Sequence, residues 1–140
     1  MSTQAEIRAV AERRFAEHRD GEVYSPLGAM MLDSIDEGYQ AMEKLIELWQ
    51  GRGPIGGYKI ALTSKPIQEL CGVDQPCGGY AFRETIHQSP ANLSLGDFNG
   101  LALEFELAVR FASDIPAEAA PFDAESIREY VGACYPAFEL

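Results

Sequence analysis

The sequence predicts an α+β fold, and three observations predict it. Residues 1–50 carry apolar side chains at helical spacing behind two capping signals. A glycine- and proline-rich stretch, Gly51 to Gly57, then interrupts the pattern. Beyond it the period changes from helical to the two-residue alternation of strands, most plainly in the run from Leu101 to Phe111.

The first helix opens at the capping box Thr3-x-x-Glu6. Ile7, Val10, Ala11 and Phe15 share one stripe, with Arg8, Arg13, Arg14 and Glu17 largely outside it, and Asp20-Gly21 ends it. Residues 22–32 form a connection. Ser34-x-x-Glu37 reads as a second capping box. Its helix carries Tyr39, Met42, Leu45, Ile46 and Trp49, an aromatic and aliphatic stripe of the kind that packs a core, and stops at Gly51. Residues 1–55 are therefore expected to form an N-terminal helical unit, and residues 56–140 a strand-rich unit.

In that second part, Tyr58, Ile60 and Leu62 fall on one face of a strand, and Lys59, Ala61 and Thr63 on the other. Ser64 is placed to cap a short helix, Lys65 to Cys71, closed by Gly72. Residues 73–82 are rich in turn formers. Asp97-Phe98-Asn99-Gly100 turns into the alternating run, and 114–121 is a loop. Asp123 caps a predicted helix with Ile127, Tyr130 and Val131 inward, which Pro136 breaks. The terminal Ala137-Phe138-Glu139-Leu140 starts another strand.

Totals bound the function. The chain has 140 residues, 46% of them hydrophobic and 24% charged, as in an ordinary water-soluble domain. Its net charge of −11 argues against nucleic acid or an anionic membrane surface as a partner. A small anionic substrate stays admissible, because a bound metal reverses the sign locally. The three cysteines make no disulfide framework and no C-x-x-C, which points to a reducing, cytoplasmic compartment. No basic region followed by an apolar run marks a secretory signal, and no apolar stretch approaches a membrane span.

The alternating run holds the candidate chemistry. Leu101, Leu103, Phe105, Leu107, Val109 and Phe111 make an apolar face, expected to be a core face. Ala102, Glu104, Glu106, Ala108 and Arg110 make the other. Glutamate is disfavoured in strands, yet two stand on one side, roughly 6–7 Å apart along the strand, with small alanines beside them. Such a pair is either a solvated outer face or two oxygen ligands for a hard divalent ion.

Several stretches together resemble the 2-keto-4-pentenoate hydratase, 2-oxohepta-4-ene-1,7-dioate hydratase and 4-oxalocrotonate decarboxylase group of the fumarylacetoacetate hydrolase superfamily. They are Ser34-Ile35-Asp36-Glu37-Gly38-Tyr39-Gln40, Gly57-Tyr58-Lys59-Ile60-Ala61-Leu62-Thr63-Ser64, Gly72-Val73-Asp74-Gln75-Pro76, Leu103-Glu104-Phe105-Glu106-Leu107-Ala108 with Asp114-Ile115-Pro116, and Pro136-Ala137-Phe138-Glu139. The resemblance covers most of residues 34–140. It implies a mixed β-roll of fumarylacetoacetate hydrolase type after the helical unit. It implies Mg²⁺ or Mn²⁺ held by Glu104, Glu106 and Glu139, and an active-site role for Lys59 as acid/base or substrate-orienting group.

The activity implied is hydration of 2-hydroxy-2,4-dienoate or 2-oxo-4-enoate substrates in aromatic-compound degradation. The alternative within the family is decarboxylation of 2-oxo dienoic diacids; a carbon–carbon hydrolase acting on acylpyruvates is a further possibility in the superfamily. This sequence departs from the group at Cys77-Gly78-Gly79, where many members carry an acidic residue just after Gln-Pro. Cys77 has no activating base in view and is not expected to be a nucleophile. His87 is expected to be incidental. The family's chains are longer, so the roll is expected to be truncated here, with an unpaired edge and an uncovered apolar face. Closure is expected through a homo-oligomer or through a complex with a related hydratase or decarboxylase chain. A non-enzymatic reading is a catalytically incomplete fragment or subunit.

Overall fold

The structure is a computed structural model and describes residues 1–98 and 100–140. The fold is α+β, with helices and small antiparallel sheets. The chain forms two compact units, Met1–Asn99 and Gly100–Leu140.

In the first unit, α1 spans Gln4–Arg19 and α2 spans Ile35–Leu48. The Thr3 box is complete: its hydroxyl accepts from the Glu6 N–H, and the Glu6 carboxylate accepts from the Thr3 N–H at 2.7 Å. The second box is half formed. Ser34 Oγ accepts from the Glu37 N–H at 3.2 Å, but the Glu37 carboxylate turns elsewhere. It accepts from the Asp33 N–H and from the Ser2 N–H and hydroxyl, each at 2.9 Å. Those three donors explain how a carboxylate is buried there, and the Ser2 hydroxyl leads in holding its pKa down. Ile7, Val10 and Ala41 make the buried centre of the helix pair, with Leu27, Met30 and Leu32 of the connection packed on it.

β1, Ile55–Ala61, pairs antiparallel with β2, Cys77–Phe82. Between the strands, α3 spans Lys65–Cys71 and ends on Gly72 in the left-handed region. Ser64 stands at the head of α3, but its side chain makes no capping hydrogen bond. β2 corrects the expectation of a turn-rich segment. Cys77-Gly78-Gly79 is weak strand sequence, and pairing with Ala61, Ile60 and Lys59 overrides it. The Tyr39 hydroxyl, expected only to pack, also accepts from the Gly78 N–H at 3.0 Å and ties α2 to β2.

In the second unit, β3 spans Glu104–Phe111 and β4 spans Val131–Glu139, paired antiparallel. Leu101 to Leu103 precede β3 rather than opening it. The expected turn ahead of them includes Asn99, which lies outside the described residues. The helix expected after Asp123 is a short 3-10 turn, Ser126–Tyr130. Its N-cap is Glu125, without a side-chain capping bond; Asp123 lies ahead of it, its carboxylate accepting from the Glu125 and Ser126 N–H groups at 3.0 and 2.8 Å. The chain extends from Val131 because β3 offers a ladder. Pro136 does not end this segment; it lies within β4 opposite Leu107, at the edge of a two-stranded sheet, where a missing N–H is tolerated. The apolar face of β3 is not a core face. Phe105 is 82% exposed and Leu107 66%, and Phe138 of β4, 63% exposed, joins them through a ring contact at 5.2 Å.

Candidate metal centre

The site begins with the register of the second hairpin. Glu104 lies directly opposite Glu139, and Glu106 opposite Ala137. Strand alternation puts Glu104 and Glu106 on one face, and the register puts Glu139 on that same face. One carboxylate oxygen from each of the three comes within 4.8 Å of the others. Glu106 and Glu139 are half-buried and Glu104 is exposed. Like charges directly opposite each other weaken a hairpin, and a cation bound among the three would offset that repulsion.

The donor set is chemically coherent. Three carboxylates are hard oxygen ligands, suited to Mg²⁺ or Mn²⁺ rather than to a thiolate- or imidazole-seeking metal. Three side chains leave coordination positions for water or substrate oxygens. Small residues flank the trio: Ala108 follows Glu106 on its face, and Ala137 precedes Glu139 on the facing strand. Further along, the Arg110 guanidinium lies over the Tyr135 ring, 5.6 Å from its centroid. Tyr135 is the cross-strand partner of Ala108, so this cation leans back toward the glutamate end of the hairpin. The sequence placed Arg110 on the glutamate face, but Tyr135 fell in a segment expected to be helical.

Lys59 stands on β1 opposite Gly79. Its face is the more covered one: Lys59 and Ala61 are half-buried, whereas Tyr58 and Ile60 are 76% and 59% exposed. Cys77 pairs with Ala61, two positions along on the same face as Lys59. The place where the resembled group often carries an acidic residue is therefore diagonal to Lys59 and here holds a half-buried thiol. His87 follows the 3-10 turn Arg83–Thr85 and is exposed. No helix among the described residues is long and apolar enough to cross a membrane. No family model matches the chain.

Proposed function

We propose that the chain carries the metal site and active-site lysine of a divalent-metal-dependent lyase of the fumarylacetoacetate hydrolase type, acting as a hydratase on 2-hydroxy-2,4-dienoate or 2-oxo-4-enoate substrates. The observation that carries this reading is the convergence of Glu104, Glu106 and Glu139 within 4.8 Å. Two of the three come from one strand, β3, whose alternation the sequence already displays, and the third arrives from β4. In this reading the two hairpins belong to a β-roll, completed in a homo-oligomer or with a related chain, in the cytoplasm.

Glu104, Glu106 and Glu139 would hold Mg²⁺ or Mn²⁺. When bound, the ion supplies Lewis acidity toward the two adjacent oxygens of a 2-oxo acid, where charge develops as the substrate tautomerises. The remaining work falls to side chains. Lys59 Nζ donates to the substrate carboxylate, or passes a proton to the carbon chain during ketonisation. Arg110 offers a cation on the glutamate face to an anionic group. The alanines beside the carboxylates leave the face open to an extended chain.

Decarboxylation of a 2-oxo dienoic diacid is the second reading, and Cys77 favours it. Hydration needs a group that positions water, and the position diagonal to Lys59 holds a thiol rather than a carboxylate. Decarboxylation needs no such group.

Calorimetric titration of the chain with Mn²⁺, with and without oxalate as a chelating mimic of the enol acid, tests the site. The expected result is saturable binding that oxalate strengthens. Assays on dienoate and dienoic diacid substrates then separate water addition from CO₂ release. A folded chain that takes up no Mn²⁺ would remove the basis of the proposal.

A further inference from the structure

His18, near the end of α1, makes a contact that only one of its protonation states allows. Its Nε2 lies 3.3 Å from Arg52 Nη1, in the 3-10 turn Gln50–Arg52 that follows α2. A guanidinium has donors and no acceptor, so Nε2 must accept and the imidazole must be neutral, with its proton on Nδ1. The ring also meets Trp49 edge-on, with centroids 5.1 Å apart. Trp49 in turn meets Phe82 edge-on at 5.9 Å, and the Arg52 guanidinium lies over both rings, 5.5 and 5.1 Å from their centroids. Phe82 is a buried residue at the end of β2. This cluster joins α1, the end of α2 and the β1–β2 hairpin.

We propose that His18, Trp49 and Arg52 form a pH-sensitive latch, fastening the end of α1 to the turn that leads into β1 and loosening when the imidazole takes up a proton. A proton on Nε2 would place two donors, and two positive charges, face to face. The other charges nearby are held in ion pairs. Arg52 comes from the turn after α2, and Glu84, from the 3-10 turn after β2, binds its Nε at 3.1 Å. On α1 itself, Arg14 is paired with Glu17 and Arg19 with Asp20. No carboxylate is recorded against the His18 ring among the described residues.

His18 is exposed overall, but partial desolvation of its ring, and then the Arg52 charge, lower its pKa from the ordinary value of 6.5. The neutral form is thus favoured in the folded chain. The latch is closed above 6.5 and is lost as pH falls through the depressed folded value.

Trp49 is the single tryptophan in the chain, so its fluorescence reports the latch directly. The parent chain is titrated from about pH 8 to about pH 5, the range in which histidine changes charge. The expected result is one transition with its midpoint below 6.5, lost in His18→Gln and shifted upward in Arg52→Gln. A flat parent curve, a parent midpoint at or above 6.5, or an unshifted midpoint in Arg52→Gln overturns the proposal. Nitrogen-15 NMR of the parent imidazole needs no variant. A proton on Nδ1 above the midpoint supports the latch, and a proton on Nε2 overturns it.

Discussion

Glu17 and the glutamate trio put the same side chain to opposite uses. The Glu17 carboxylate is buried and accepts from the Ser25 hydroxyl, from Arg14 Nη1 at 2.6 Å and from Arg13 Nε at 3.1 Å. The Ser25 hydrogen bond leads, with the two arginines, in lowering its pKa from 4.5 to about 2. A carboxylate depressed in this way stabilises the fold above its unfolded pKa and loses that contribution as pH falls from 4.5 toward 2. Glu17→Gln is therefore expected to lower the denaturation midpoint at neutral pH, with the gap closing across that window in urea titrations at stepped pH. Glu104 and Glu106 should behave differently. Glu104→Gln and Glu106→Gln are expected to keep the parent's circular dichroism while Mn²⁺ affinity falls by more than the ~10–100-fold that loss of an outer-shell metal partner costs. Calorimetry that showed either variant binding as the parent does would withdraw that residue as a ligand. Glu104 and Glu106 were legible because alternation alone puts them together. Glu139 was not, since no local pattern reveals which strand lies opposite, and only the family resemblance named it.

At the scale of elements, α1, α2 and α3 were legible, the helix expected after Asp123 was not, and the hairpins were legible only in part. Thr3, Asp20, Ser34 and Gly72 mark helix ends through local chemistry, and local chemistry is visible in a sequence. β2 and β4 contain Gly78-Gly79 and Pro136, residues that argue against strands, and each strand exists because a partner supplies its ladder. Gly56 shows the same dependence on a neighbour. It is the extra residue where the β1–β2 register shifts, and a Cβ there would come 2.6 Å from the Arg83 Cα. Backbone cannot yield as a side-chain tip does, so Gly56→Ala is expected to destabilise the chain by about 1–3 kcal/mol in denaturant titration. Ile7→Ala, in the centre of the helix pair, is expected to cost about 2–5 kcal/mol.

For the whole molecule, the distribution of burial matters more than its amount. Among the described residues, every buried one belongs to the first unit, and none of residues 100–140 is buried. A two-stranded hairpin without a covering layer is marginal in water. Amide exchange in β3 and β4 is accordingly expected to be faster than in the centre of α1, read residue by residue by NMR. The uncovered apolar face has a colloidal consequence as well. Phe105, Leu107 and Phe138 offer adhesive surface to another copy, and the net charge of −11 opposes that association at long range. Light scattering should rise with added salt, which shortens the reach of that repulsion, and with acid, which removes it.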